Sequence, residues 1–398
     1  MTDANDERPF AGLKVFDVTQ GVAGPHGTML LALHGADVIK VEPLSGDWGR
    51  AIGKAYGDLC AHFMAFNRGK RSIAVDLKSD GGRVAAQQLA YGADIVVESF
   101  PPGVMAKFGL DYDAVKAANP DVIYCSINGF GQSGPAKDRK VSDTIIQAFS
   151  GFMPVNADAN GVPRALNMIP IDVLTGLYVY QAISAAVLKR FRFRKGAYID
   201  CNLMQSAASF LSAKITEFVL EDGQPQLLSV PAGTMPTADG FINVSVVKQE
   251  HFEGLCEALD QPDLITDPRF VDREMRLAHA AEIMALVRAE FQKRPTAAWA
   301  ERLTDAGVMF EPVNDFAAFL ADPQVAAMGA VVRTDYPGAP DVPVVAIPGM
   351  GAPVPGTRDA TVPHLGEHTR AILAEAGYED TDIDALIAAS ATADHVSD

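Results

Sequence analysis

Apolar and polar positions change period repeatedly along the first 130 residues. "LKVFDVT" (13–19) is an apolar run with no clear polar face and predicts a buried strand. The turn "GVAGP" (21–25) follows it, and "HGTMLLALHGA" (26–36) predicts a helix. "DVIKVEP" (37–43) and "RSIAVDL" (71–77) predict two more strands, and "GGRVAAQQLAYGA" (81–93) a second helix. "DIVVESF" (94–100) and "DVIYCSI" (121–127) complete the set. Strands apolar on both faces, alternating with helices, predict a parallel sheet covered by helices.

Further along, residues 172–191 and 202–222 predict long apolar helices joined through "KGAYIDCNL". The composition changes near residue 223, where "DGQPQLLSVPAGTMPTADG" gathers turn formers ahead of the strand "FINVSVV". Residues 250–330 are mostly helical in pattern and more charged. "YPGAPDVPVVAIPGMGAPVPG" (336–356) is a Pro/Gly-rich segment, and "GEHTRAILAEAG" (366–377) predicts a last helix. The expected organisation is α/β. A large Rossmann-like parallel-sheet domain spans 1–222, a smaller α+β domain spans 223–330, and 331–398 returns to the large domain.

Composition narrows the function classes. Among 398 residues, 48% are hydrophobic, which suffices for a large core. No uninterrupted run of about 18 apolar residues predicts a membrane span. The opening "MTDANDERPF" lacks the apolar core of an export signal. The four cysteines, Cys60, Cys125, Cys201 and Cys256, are scattered, which fits a reducing cytoplasm better than a disulfide frame. A net charge of −17 argues against a nucleic-acid partner, while leaving room for a local basic cluster that holds a small anion.

Two such clusters exist: "NRGKRS", with Arg68, Lys70 and Arg71, and "KDRK" (137–140). Each reads equally as a solvated loop. His364 and His368 share one helical face, but no third ligand is nearby, so no metal is expected. His26 and His34 read as packing residues. The absence of G-x-S-x-G removes the usual nucleophile elbow of α/β-hydrolases.

Asp172 is the sharpest candidate. It stands in "NMIPIDVLTG", among apolar residues at the start of a predicted helix. Its residue type and place fit a helix N-cap. They fit the cap better than the other reading, a carboxylate nucleophile that attacks an acyl thioester, with helix N–H groups holding the oxyanion.

The stretches "FAGLKVFDVTQGVAGPHGTMLLALHGADVIKVEPLSGDWGR", "FNRGKRSIAVDLKSDGGR", "ADIVVESFPPGVMAKFGLDY", "NPDVIYCSINGFGQSGP" and "IDVLTGLY" together resemble the class III CoA-transferases, a family that includes α-methylacyl-CoA racemases. The resemblance implies an interlocked homodimer that acts on acyl-CoA and small carboxylic acids, with coenzyme A as substrate and no permanently bound cofactor. It implies that Asp172 is the nucleophile. It implies CoA contacts from Gln20, Gly21, Val22, Arg68, Arg71, Ser99, Phe100, Lys107 and Lys140. The family's racemases carry a histidine where Ser142 stands here, ahead of Asp143, which favours transfer over racemisation. Members that use formyl-CoA have a glutamine at the position of Val22 and a glycine loop in the region of "SVPAGTMP". Those departures point instead to dicarboxylic substrates, with Arg50 or Arg164 as candidate partners for the distal carboxylate.

Overall fold

The computed structural model describes residues 7–158, 160–224 and 227–395. The chain forms two compact units, Met1–Ile215 with Gly329–Asp398, and Thr216–Met328.

The first unit is built on a sheet of β1 (Lys14–Asp17), β2 (Asp37–Glu42), β3 (Arg71–Val75), β4 (Ile95–Glu98), β5 (Ile123–Asn128), β6 (Ala197–Asn202) and β7 (Thr392–Ala393). Six strands run parallel in the order β3-β2-β1-β4-β5-β6, and β7 adds antiparallel to the outer edge of β3. The alternation of side chains along each strand explains why the strands read as unbroken apolar runs. Val15, Val38, Val97 and Ile123 pack on one face, and Phe16, Ile39, Val96 and Tyr124 on the other. The first face is covered by α1 (Ala23–Leu33) and the long helix Pro170–Phe193. The second is covered by α3 (Asp80–Tyr91), α4 (Tyr112–Ala118) and the returning helices Thr369–Glu375 and Asp380–Ala388. Between α1 and α3 lies the short α2 (Ala61–Phe66); α5 (Asp143–Phe149) leads to α6, the helix Pro170–Phe193, and α7 (Leu203–Phe210) follows β6.

Three sequence expectations change here. "KGAYIDCNL" is more than a connection, because it supplies the edge strand β6. The helix expected over 202–222 breaks at Leu211. The Pro/Gly-rich return contains an antiparallel hairpin of Val331–Tyr336 with Ala339–Val345. Helix α6 is long and apolar enough to cross a membrane by length and composition. Its fully buried residues Ile171, Val179 and Ile183 pack in the core of the first unit.

The second unit packs helices Gln249–Ala258, Ala280–Phe291 and Thr296–Asp305 on an antiparallel sheet of Ala232–Pro236, Phe241–Ser245 and Met309–Pro312. Its core centres on Phe252, Phe270, Phe291 and Trp299, and the Trp299 indole N–H donates to the Phe291 carbonyl at 2.7 Å.

Candidate active site

Strand order reverses between β1 and β4, and in open α/β sheets ligands bind beyond the carboxyl ends of the strands at that point. A cavity of about 520 Å³ lies here. The loop after β1 contributes Gln20 and Val22, the loop after β4 contributes Ser99 and Phe100, and Asp143 and Asp172 complete the polar wall with Asn128 and Ser142.

Hydrogen bonds fix the first of these loops. The Gln20 N–H donates to Ser99 Oγ at 3.0 Å, and the Gly21 N–H to Asp47 Oδ1 at 2.9 Å. Gly21 has φ +80°, and a Cβ there would overlap the Trp48 ring, so glycine serves both the turn and the close approach. Asp47 is held in turn by Lys40 at 2.8 Å, with both side chains fully buried. Beneath the loop, Lys70 pairs with Asp17 at 3.0 Å, and Thr28 donates to Asp17 at 2.7 Å. Burial alone would raise the Asp17 carboxyl. The Lys70 and Lys40 charges and the Thr19 and Thr28 hydroxyls outweigh it and bring the pKa down to about 2.

Asp172 is not the cap of its helix. The cap position is Ile169, Pro170 opens the helix, and Asp172 sits in the first turn. The capping role passes to Asp143, a buried side chain on α5. Its Oδ2 accepts the N–H of Ile171 at 2.7 Å and of Asp172 at 2.9 Å. Asp143 Oδ1 accepts from Gln147 Nε2 at 2.6 Å, and Gln147 Oε1 accepts the Leu166 N–H at 2.9 Å. The helix N–H groups expected to hold an oxyanion are therefore already engaged by a carboxylate. Burial pushes the Asp172 carboxyl up to about 7, and the Asp143 charge adds to the rise.

Helix α6 is set against α1 by small residues. A Cβ on Gly176 would lie 2.6 Å from His26 Nδ1, and one on Gly27 would lie 2.7 Å from Val179 Cγ1. The His26 imidazole meets the Val173 carbonyl at 3.0 Å. Burial, with the Lys70 and Arg68 charges, brings His26 down to about 4 against the pull of that carbonyl. The ring is then neutral at physiological pH, and its Nδ1 carries the proton it donates. Thus the helix that begins at the first loop is hydrogen-bonded to the helix that carries Asp172.

The structure sorts the residues singled out in the sequence. Gln20, Val22, Ser99, Phe100 and Ser142 line the cavity with Asp172, and Gly21 is the residue between Gln20 and Val22 in the first loop. Lys140 is exposed beside the lining residue Val141, and Lys107 is exposed on the turn Met105–Phe108. Arg68 and Arg71 are not brought to the cavity. Arg68 is buried, with Nη2 on the Val345 carbonyl at 2.9 Å. Arg71 opens β3, at the opposite end of the sheet, and its fork is taken by Asp37 at 2.5 Å and Glu375 at 2.9 Å. Arg50 is buried on Glu42 at 2.7 Å with Asp58 at 3.1 Å, and Arg164 pairs with Asp158 at 2.6 Å. Neither lines the cavity. His364 meets Asp58 at 2.6 Å and stacks on His395, and no group of metal-ligating side chains is found among the described residues. Sequence reasoning passed over Asp143 as the helix cap and passed over His62 as a lining residue.

Asp172, half-buried with its pKa raised to about 7, lies on the wall of the cavity at the switch point of this parallel sheet, and the chain belongs to CoA-transferase family III, whose family model matches residues 10–369. It is similar to the succinyl-CoA:glutarate CoA-transferase of Homo sapiens, 32% identical over 99% of this chain and 92% of that one. It is also similar to the succinate–glutarate CoA-transferase of Agrobacterium fabrum, 35% identical over 94% of this chain and 98% of that one. Among solved structures it is similar to a CAIB/BAIF family protein from Brucella suis, with TM-score 0.83 and 33% identity over 93% of this chain and 99% of that one.

Proposed function

We propose that this CoA-transferase moves CoA from a dicarboxylyl-CoA such as succinyl-CoA to a carboxylic acid through covalent intermediates on Asp172. The observation that carries the reading is the position of Asp172. Its carboxyl, with the pKa raised to about 7, is ionised in part at pH 7 and lines a cavity at the switch point of the sheet. A nucleophile stripped of water there is less shielded than one in solution. The Asp172 carboxylate attacks the acyl carbonyl of the thioester, the C–S bond breaks, and CoA leaves as the thiolate. The thiolate attacks the Asp172 carbonyl of the resulting anhydride, giving an aspartyl-CoA thioester and releasing the donor acid. The acceptor carboxylate then attacks that thioester, forming a new anhydride and expelling the thiolate. Attack of the thiolate on the acceptor acyl group releases the new acyl-CoA and restores Asp172. Thioester is exchanged for thioester, so the sequence balances without ATP.

Gln20, Gly21, Val22, Ser99 and Phe100 form the wall against which CoA would lie, with Lys107 and Lys140 as exposed charges for its phosphates. The names of the similar proteins support succinyl-CoA as donor and a dicarboxylic acid such as glutarate as acceptor. A homodimer is part of the proposal. Leu188, Phe191, Phe193 and Phe210 are more than half exposed, and apolar surface of that extent ordinarily meets a partner.

The test uses intact-protein mass spectrometry after incubation with succinyl-CoA and trapping with hydroxylamine or borohydride. The expected modification maps to the peptide that holds Asp172 and is absent from Asp172→Ala. Transfer that proceeds with no adduct on that peptide would overturn the covalent reading.

A further inference from the structure

A dicarboxylic substrate poses an electrostatic difficulty in this cavity. Two protein carboxylates, Asp143 and Asp172, already line it. The second carboxylate of succinate or glutarate adds negative charge beside them, which a cationic side chain on the wall offsets better than a neutral donor. The arginines expected to serve are elsewhere, Arg50 on Glu42 and Asp58, Arg164 on Asp158. The polar side chains of Gln20, Ser99, Asn128, Ser142 and Thr144 that share the wall are uncharged.

One lining side chain is able to carry positive charge, and it is His62. It stands on α2 beside the apolar wall of Trp48 and Ile52, half-buried. No hydrogen bond or ion pair engages its ring among the described residues, whereas His26, His34 and His364 each meet a partner. Its helix is firmly seated. The next residue, Phe63, is buried under the Arg50 guanidinium, 3.7 Å from the ring centre, and Asn67 at the end of α2 accepts from Lys70 at 2.8 Å. An imidazole donates an N–H in either protonation state, and a carboxylate beside it favours the charged form.

We infer that His62 receives the distal carboxylate of a dicarboxylic substrate and so selects dicarboxylic over monocarboxylic acids. The inference rests on the proposed transfer at Asp172 and adds a specificity-determining residue to it. It also gives the apolar wall of Trp48 and Ile52 a role, as the surface for the methylene chain between the two carboxylates.

The experiment compares glutarate with pentanoate, acids of equal carbon number, as acceptors at saturating succinyl-CoA, in the full chain and in His62→Ala, His62→Gln and His62→Arg. The readout is the ratio of kcat/KM for glutarate to that for pentanoate. Loss of one charge-assisted hydrogen bond is expected to lower that ratio about ten- to a hundredfold in His62→Ala, chiefly through the KM for glutarate. His62→Gln should fall between, and His62→Arg should bring the ratio back to within about threefold of the unmodified chain. Labelling of Asp172 by succinyl-CoA in each variant reports that the site is intact. A ratio unmoved in His62→Ala, with Asp172 still labelled, overturns the assignment of His62 and leaves the transfer reading standing. Absence of both labelling and transfer in the unmodified chain overturns both.

Discussion

A carboxyl group whose pKa is raised to about 7 is one that the folded chain prefers to keep protonated. Asp172 in the unfolded chain releases its proton near pH 4, while the native state retains it until about 7. Between those values the native state binds the extra proton, so stability falls as pH rises, and the deficit is complete above about 7. Asp172→Asn removes the ionisation while keeping nearly the same shape. The variant should therefore be more stable by about 2–4 kcal/mol at pH 8.5, and by much less at pH 4.5. Urea unfolding at the two pH values checks this, and an equal gain at both would mean that repacking, not charge, is responsible. Asp172 was legible because a lone carboxylate in an apolar run asks for an explanation. Asp143, which caps its helix, was not, since the two are 29 positions apart and only the fold joins them. His62 was hidden for a similar reason: within "LCAHFMAF" it is one polar position on a short helix, and nothing local shows which way it faces.

At the scale of elements, the site depends on how closely α1 approaches α6. Gly27 and Gly176 leave no room for a Cβ, and the hydrogen bond from His26 to Val173 is made across this contact. Gly176→Ala would press a methyl group against the His26 ring and drive the helices apart. The expected penalty is about 1–3 kcal/mol of stability, measured by denaturant unfolding, with a fall in kcat because the first loop and Asp172 ride on the two displaced helices. A variant that loses stability while retaining full kcat would show that the helix spacing does not set the site. The parallel strands β1 to β5 were legible because burial on both faces writes a continuous apolar run. β6 was not, since it is an edge strand whose residues from Ala197 to Cys201 alternate between half-buried and exposed, and its polar positions resemble a connection. The hairpin of Val331–Tyr336 and Ala339–Val345 was masked by prolines and glycines, which an exposed ladder tolerates.

For the whole molecule, the proposed dimer has to overcome charge. Each chain carries a net −17, so two copies repel, and association must draw on apolar surface such as Leu188, Phe191, Phe193 and Phe210. Screening should consequently strengthen association, not weaken it. If the dimer is interlocked, as the family resemblance implies, separation also requires one chain to unfold. Native mass spectrometry of the intact chain should then give twice 42.3 kDa even on dilution. Tagged and untagged dimers mixed under native conditions should exchange no subunits over hours, and should form mixed dimers after unfolding in denaturant and refolding together. Free exchange on mixing would point to a dimer held by surface contact alone, and a mass of one chain at every concentration would remove the dimer from the proposal. The distinction bears on function, since chains that cannot part without unfolding fold and bury that surface in a single event, and their stability depends on protein concentration.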